Sequence, residues 1–402
     1  MNTFSKRVLA ACVTTALLGG LQSAQANETV YDALASSKAF GSFDLRYETV
    51  EQDNARRDAS ALTLRSRFGF KTGSFKGFSA HVEAEDNRIV LGQGDYSVPF
   101  TGYNGAEYSV IADPEHTELD QAFVQYKGGK STFKVGRQVI THDGHRHIGH
   151  VGWRNDRQTF DGVRYVYADD AFSFDYSYLT QINRIFAEAA DFDANNHLIR
   201  ASYKTSLGTV AGYAYLYDHE NQATGATIFD AETYGVRFSG QQKADNVSYL
   251  YEAEYATQSN GDFDADYLHL SGGVGFSGVT AKLGYEVLGS DDGQYGFATP
   301  LATLHKFNGW ADIFLGTGAA GLKDTYVSLG GKLGPGKFLA VYHSYSADVS
   351  SETMDDLGSE INLQYSAKIG KNYSAAIKYA SYSADDRAVD TDKLWIWFNT
   401  KF

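Results

Sequence analysis

The chain has 402 residues, a formal net charge of −14, 14% aromatic residues and a mean hydropathy of −0.35. After residue 26 no stretch contains the roughly 18 consecutive apolar residues of a helical membrane span, which excludes helical membrane proteins. A content of 41 glycines, 4 prolines and 2 methionines is unusual for a soluble enzyme. It suits tilted membrane strands, which need aromatic belts at both interfaces and small residues where the wall bends.

The N-terminus has the features of a secretory signal peptide. Lys6 and Arg7 precede an apolar run over 8–21, and Ala24–Ala26 supplies a small-x-small peptidase site, so we expect cleavage after residue 26. A lipoprotein cleavage box at Cys12 is a less favoured alternative. It leaves only about four apolar residues after the basic pair, whereas an export signal needs about 7–15.

The chain therefore divides into a signal peptide over 1–26, a short periplasmic lead-in over 27–39 and an outer-membrane β-barrel over 40–402. The lead-in is too short for a plug domain, which argues against an energised receptor. Cleavage removes Lys6 and Arg7, which takes the net charge from −14 to −16, and it removes the only cysteine. Disulfides and cysteine-ligated metals are thus excluded in the mature protein.

The mature sequence repeats one unit. An alternating run of about 10–13 residues leads through a tight turn to a second such run and then to a longer polar loop. The turns include 127–130 and 334–336, and the acidic loops include 184–196 and 289–322. Counting these runs predicts an all-β fold, a transmembrane antiparallel β-barrel of about 18 strands with its short turns facing the periplasm.

The alternation assigns residues to the two faces of the wall. In the run 62–70 the apolar residues share one side, so Arg65 and Arg67 share the other and face the lumen. A lipid-facing charge at mid-membrane costs roughly 2–4 kcal/mol, which enforces this pattern. The same rule directs further charged residues inward: Arg46, Glu83, Glu85 and Arg164. Since about 18 strands leave room for water, the lumen is predicted to be an ionic channel that sorts solutes by charge.

The last nine residues, 394–402, alternate aromatic and polar side chains and end on Phe402. This ending resembles the terminal strand of outer-membrane barrels of Gram-negative bacteria. The resemblance implies that the barrel-assembly machinery binds Phe402. We expect membrane lipid, lipopolysaccharide and a small polar solute as the other partners, and no nucleic acid.

The densest motif runs from Val135 to Arg164. It contains a Gly-Arg-Gln strand end at 136–138, a loop with arginines and Trp153, and a Phe-Asp-Gly-Val-Arg strand start at 160–164. This segment resembles the alginate-export family of outer-membrane β-barrel porins, whose members carry similar features. The resemblance implies a channel more firmly than it implies alginate.

Several arginines are concentrated in and beside loop 140–157. They are Arg137, Arg146, Arg154, Arg157 and Arg164, and we predict that they bind the solute or line the pore together with Trp153 and Asp161. Guanidinium groups bind carboxylate or phosphate bidentately, so this loop forms an anion-attracting constriction if it folds inward. Alternatively, an ion-pair network pins the loop to the wall through Arg137, Arg164, Asp143 and Asp161. Parity with Val135 directs Arg137 towards lipid unless Gly136 carries a bulge.

Trp153 and a histidine tract complete the loop. Trp153 either stacks on a sugar ring or, as we favour, anchors the loop at the membrane interface. Imidazoles are ligands for zinc or copper, but the tract lacks a regular spacing. We therefore expect no metal or other cofactor, and solvated loop histidines that form at most a pH-sensitive gate. These histidines are His142, His145, His147 and His150.

Together these features predict a porin for selective passive diffusion of a small polar or acidic solute, such as an oligosaccharide or organic acid. A polysaccharide secretion channel is the alternative, although the inward residues show no excess of Lys and Arg. We expect no enzymatic activity, since a Gly-x-Ser-x-Gly elbow and a usable Ser/His/Asp set are missing. An adhesin would need long exposed loops, and only 89–116 and 289–322 are long enough.

Overall fold

The computed structural model describes residues 29–402, so the predicted signal peptide lies outside the described residues. Helix α1 (Val30–Ala35) begins with a capping box, in which the hydroxyl oxygen of Thr29 accepts a hydrogen bond from the N–H of Asp32. Within residues 29–402 no helix has the length and apolar character needed to cross a membrane.

The helix is followed by β-strands and one short 3₁₀ helix, Leu304–Lys306. The strands are β1 (Lys38–Gln52), β2 (Ala59–Lys71), β3 (Phe78–Asp95), β4 (His116–Gly128), β5 (Ser131–Gln138), β6 (Thr159–Ala168), β7 (Phe172–Asn183), β8 (Ile185–Glu188), β9 (Phe192–Lys204), β10 (Thr209–Glu220), β11 (Thr227–Ala244), β12 (Val247–Asn260), β13 (Phe263–Phe276), β14 (Val279–Leu288), β15 (Ser290–Asp291), β16 (Tyr295–Gly296), β17 (Leu322–Leu333), β18 (Gly336–Ser351), β19 (Met354–Ile369), β20 (Tyr373–Ser383) and β21 (Thr391–Lys401).

Among these strands, 18 form one closed antiparallel sheet, and β8, β15 and β16 lie in its loops. The barrel closes where β1 pairs with both β2 and β21. At the seam, Gly41 and Phe402 exchange two backbone hydrogen bonds of 3.0 Å. Gly41 leaves room for the terminal ring, because a Cβ there would lie 2.5 Å from the Phe402 ring. The predicted 18-stranded barrel is confirmed, while recognition of Phe402 by assembly machinery stays a prediction.

The two faces of the wall differ as the alternation predicts. The outer face exposes large apolar side chains in every part of the barrel, for example Phe68, Val124, Leu283 and Ile396. A continuous apolar belt around a closed sheet matches the hydrocarbon region of a bilayer. On the inner face the Arg65 guanidinium donates a hydrogen bond of 3.2 Å to the Arg154 carbonyl. Arg65 therefore lies on the inner face of the wall, against the first of the loops described below.

Two long connections fold into the lumen. We call residues 139–158, between β5 and β6, the first inward loop, and residues 289–321, between β14 and β17, the second inward loop. The two loops pack against each other. The N–H of Gly149 donates a hydrogen bond of 2.7 Å to the Leu301 carbonyl, and Ile148 and Leu301 form an isolated parallel β-bridge. Both Ile148 and Leu301 are fully buried. The barrel therefore encloses a second layer of protein across its lumen.

Candidate functional site

The side chain of Arg154, in the first inward loop, is held by three carboxylates. Its guanidinium lies 2.9 Å from Glu48 of β1, 3.5 Å from Asp113 and 3.1 Å from Asp312 of the second inward loop. Burial by itself lowers the pKa of Arg154, but these carboxylates outweigh it and raise the pKa above its ordinary value. Arg154 thus ties both inward loops to the barrel wall.

The other two arginines of this loop are also paired. Arg146 donates to Glu286 at 2.8 Å and to the Asn308 side chain at 3.0 Å. Arg157 donates to Asp120 at 2.8 Å and to Glu83 at 2.9 Å. A buried guanidinium that is already bound to carboxylates has little affinity left for a passing anion. The ion-pair alternative therefore describes these arginines better than the anion-attracting constriction.

Of the network predicted from the sequence, Arg137 and Asp161 do pair, but Arg164 and Asp143 have other partners in the structure. Arg164 pairs with Asp175 of β7, with Nε 3.0 Å from the carboxylate. Asp143 accepts a hydrogen bond of 2.8 Å from Arg200 and lies 3.5 Å from Arg237. Within residues 29–402 no ion pair joins Asp143 to Arg137 or Arg164. The loop is pinned to the wall, but mainly by strands far away in sequence.

Arg137 and Asp161 do not line the lumen. The pairing of β5 with both neighbouring strands continues through Gly136 without a bulge, so Arg137 stays on the side of Val135, which is 46% exposed on the outer face. Arg137 and Asp161 form a bidentate pair at 2.8 and 3.0 Å on that side. The prediction that Arg137 and Asp161 line the pore was wrong, because the period-two register continues through Gly136.

The remaining inward residues of the wall meet the first inward loop. Arg46 lies 3.5 Å from Asp113 and stacks 4.7 Å above the Trp153 ring. Arg67 pairs with Glu85, and Arg65 lies 3.6 Å from Asp44. Positive and negative groups alternate in this region, so strands β1–β4 carry a compensated ionic lining with little net charge.

All four tryptophans of the chain meet inside the barrel. Trp153 stacks on His305 with ring centroids 4.5 Å apart, and Trp395 and Trp397 approach it edge-on at 5.6 and 5.3 Å. The Lys378 ammonium lies 4.0 Å from the Trp153 ring and 3.9 Å from the ring of the fourth, Trp310. Trp153 therefore anchors the loop within the lumen, and the predicted position at the membrane interface was wrong.

The histidine tract has separate partners. His142 lies 3.1 Å from the Tyr215 hydroxyl, and His147 lies 3.1 Å from Glu254. Both are at most 5% exposed, so the expectation that they are solvated was wrong. His145 and His150 meet edge-on, with ring centroids 5.2 Å apart. The inward fold of the loop buries His142 and His147 against the barrel wall, while His145 and His150 stay partly exposed.

Acidification is expected to loosen the first inward loop. Burial lowers the pKa of His150, and together with His145, Arg157 and Arg67 it brings that pKa to about 4. The neutral ring accepts a hydrogen bond of 2.9 Å from the N–H of Gly152. Because the pKa is below the ordinary value of 6.5, the unfolded chain binds more protons between these values. The stabilisation of the folded barrel by neutral His150 is present above pH 6.5 and is lost as the pH falls towards 4.

The measurement is thermal unfolding of the detergent-solubilised barrel at pH 7 and pH 4.5. His150→Gln keeps a hydrogen-bond acceptor but does not titrate, so its midpoint should fall less between the two pH values than that of the unmodified protein. Equal shifts in both proteins would contradict the role of His150.

The second inward loop borders a cavity of ≈ 730 Å³ on the inner face of β12–β14, β17 and β18. We call it the lysine cavity. Four lysines line it, and none forms an ion pair with another described residue; they are Lys282, Lys306, Lys332 and Lys337. Lys332 and Lys337 are directly opposed across the tight turn between β17 and β18.

The acidic residues of this cavity are all engaged. Glu286 pairs with Arg146. Both Glu252 and Glu254 pair with Arg237. Asp324 lies 3.0 Å from His343. Asp143 pairs with Arg200 as described above. The charges in the cavity that lack a partner are thus all positive.

Residues 35–298, about two thirds of the chain, match the alginate export family model. The chain belongs to the alginate export family. Similar solved folds include Pseudomonas aeruginosa OpdK with vanillate, at 10% identity and a TM-score of 0.72 over 92% of this chain and 99% of that one. Pseudomonas aeruginosa OccK9 (OpdG) has 12% identity and 0.72 over 92% and 100%. Acinetobacter baumannii OccAB1 has 11% identity and 0.71 over 96% and 99%.

No curated protein sequence matches the chain. The identities to the solved structures are low, so these likenesses show a shared fold. Together with the family match and the apolar outer belt, they place this member of the alginate export family in the bacterial outer membrane.

Proposed function

We propose that this barrel is a selective channel for small solutes that carry a carboxylate. The observation that carries the proposal is the charge state of the lysine cavity. Its carboxylates are paired with arginine or histidine, while Lys282, Lys332 and Lys337 are exposed to the cavity without an ion partner among the described residues. A cavity whose free charges have one sign raises the local concentration of ions of the opposite sign.

The size and lining of the cavity support a small organic anion. Its volume of ≈ 730 Å³ lies within the range of about 300–1,000 Å³ that is usual for sites of small molecules. Phe307 and Tyr326 add aromatic surface beside the lysines. Among the proteins of similar fold, OpdK was crystallised with vanillate, a carboxylate. An organic acid or an acidic sugar of few units fits these features.

Secretion of a long polysaccharide has less support. A polymer needs a continuous path, whereas the two inward loops bind each other and the wall on both sides of the lumen. Arg154 joins Glu48 of β1 to Asp312 of the second inward loop, and Arg146 joins that loop to β14. These buried ion pairs would have to open for each chain that passes.

Liposome swelling with neutral and acidic sugars tests the proposal. Lys282→Gln/Lys332→Gln/Lys337→Gln removes three free charges, each worth roughly 0.2–1 kcal/mol to a bound anion, so uptake of acidic solutes should fall about tenfold. Uptake of neutral solutes of equal size should stay within about twofold, because the cavity keeps its shape. Lys306 is left in place, since it donates a hydrogen bond of 2.7 Å to the Gly144 carbonyl.

A matched control removes the same charge elsewhere. Lys76, Lys127 and Lys371 lie at or next to the short turns, and none lines the lysine cavity. Their triple replacement by Gln should leave acidic-solute uptake unchanged. If both triple variants lose uptake equally, or if neither does, the lysine cavity does not select the solute.

A further inference from the structure

A second polar cluster lies on the side of the lumen away from the lysine cavity. It combines Glu85 of β3, His116 and Glu118 of β4, and Asp156 of the first inward loop. Each residue offers one oxygen or nitrogen atom, and these four atoms all lie within 4.8 Å of one another. Glu85 and Glu118 are directly opposed in the β3–β4 register, which brings two carboxylates together in the wall.

Two atoms of this cluster are buried without a hydrogen-bond partner. They are Nε2 of His116 and Oδ1 of Asp156. His116 is 7% exposed, and Asp156 is fully buried. Burying a polar atom without a partner costs about 1–3 kcal/mol, so such atoms call for a physical explanation.

The other polar atoms of these two side chains are engaged in a way that prepares them for a cation. Nδ1 of His116 lies 3.1 Å from the Pro114 carbonyl, to which it donates, and Nε2 points into the cluster, 3.7 Å from Oε1 of Glu85. Oδ2 of Asp156 accepts a hydrogen bond of 2.8 Å from the Ala187 N–H, which fixes the carboxylate with Oδ1 free.

The cluster also has an excess of negative charge. Glu85 pairs with Arg67, but neither Glu118 nor Asp156 has an ion pair with a lysine or arginine of the described chain. Glu85, Glu118 and Asp156 each offer an oxygen within 4.8 Å of the others, so their charged forms repel one another. A cation placed among these oxygens would remove both the repulsion and the unpartnered atoms.

We propose that Glu85, His116, Glu118 and Asp156 bind one divalent transition-metal ion. Three carboxylates with one imidazole are a ligand set that suits Zn²⁺ or Mn²⁺, since imidazole favours the former and carboxylates the latter. Three ligands belong to adjacent wall strands and the fourth to the first inward loop. The bound ion therefore adds to the attachment of this loop to β3 and β4, which Arg157 also provides through Asp120 and Glu83.

The test is isothermal titration of the metal-stripped, detergent-solubilised mature barrel with ZnCl₂ and with MnCl₂, with thermal unfolding followed in parallel. One ion per barrel should bind, and the unfolding midpoint should rise. His116→Gln and Asp156→Asn should each weaken binding at least tenfold and abolish the metal-dependent rise. For bound Mn²⁺, electron paramagnetic resonance should report an immobilised ion in the unmodified protein only.

Two further variants keep the test decisive. His343→Gln removes another buried histidine, one already hydrogen-bonded to Asp324 at 3.0 Å, and metal affinity should not change. Glu118→Gln preserves shape and hydrogen bonding capacity, so it serves if the other variants fail to fold, and it should also weaken binding at least tenfold. Absence of binding for both ions, or affinity unchanged in the site variants that fold, would overturn the proposal.

Discussion

Replacing Arg154 with alanine should destabilise the barrel by about 3–5 kcal/mol and increase its single-channel conductance. The substitution leaves Glu48, Asp113 and Asp312 buried without their shared cation, and breaking a buried pair from one side has a cost of this size. Because Asp312 belongs to the second inward loop, both loops lose an attachment to the wall. Denaturant unfolding in lipid vesicles gives the free energy, and planar-bilayer recording gives the conductance.

The control for this prediction is Arg57→Ala. Arg57 pairs with Glu107 at 2.7 Å, but the two side chains are 63% and 57% exposed. Exposed pairs contribute about 0–1 kcal/mol, so this variant should unfold and conduct almost as the unmodified barrel does. If Arg154→Ala resembles Arg57→Ala in both measurements, the inward loops do not depend on the buried ion pairs.

Replacing Trp395 with alanine should destabilise the barrel by about 3–5 kcal/mol, as for other buried large aromatic side chains. Trp395 is fully buried and packs on Trp153 and His305 at 5.6 Å each, with the Lys378 ammonium 5.5 Å from its ring. The cavity left by the missing ring removes packing contacts from Trp153 in the first inward loop and from His305 in the second. Denaturant unfolding, followed by fluorescence of the three remaining tryptophans, measures the loss.

Ile396→Ala is the matched control on the same strand. Ile396 is 47% exposed on the outer face, so its side chain contacts lipid and not the tryptophan cluster. The free energy of unfolding should fall less in Ile396→Ala than in Trp395→Ala, and the fluorescence spectrum of the folded barrel should not change. Equal losses for the two variants would show that strand β21 is stabilised without the packing inside the lumen.

The barrel was predictable because its pattern is local. Alternation along each strand has a period of two residues, so the faces of Leu62 and Arg65 can be assigned from their neighbours in the sequence alone. Tight turns such as 334–336 mark where strands reverse. Even the outward side of Arg137 followed from parity, and the error lay in counting it with the pore residues because of its place in the motif.

The interior was not predictable, because its contacts join residues far apart in sequence. Arg154 pairs with Asp312 across 158 positions, and Trp153 meets Trp395 through the closure of the whole barrel. No periodic pattern encodes such pairs. The sequence showed a concentration of arginines in one loop, but only the three-dimensional arrangement shows that carboxylates already occupy them and that lysines elsewhere are free.

The zero-current potential of the channel in a KCl gradient tests the proposed selectivity most directly. Although the chain has a net charge of −14, the free lysines in the cavity predict that the unmodified barrel prefers chloride over potassium. Lys282→Gln/Lys332→Gln/Lys337→Gln should move the zero-current potential towards cation preference, while the matched turn-lysine variant should not. A barrel that prefers potassium, or a potential that the cavity substitutions leave unchanged, would contradict the proposed anion channel.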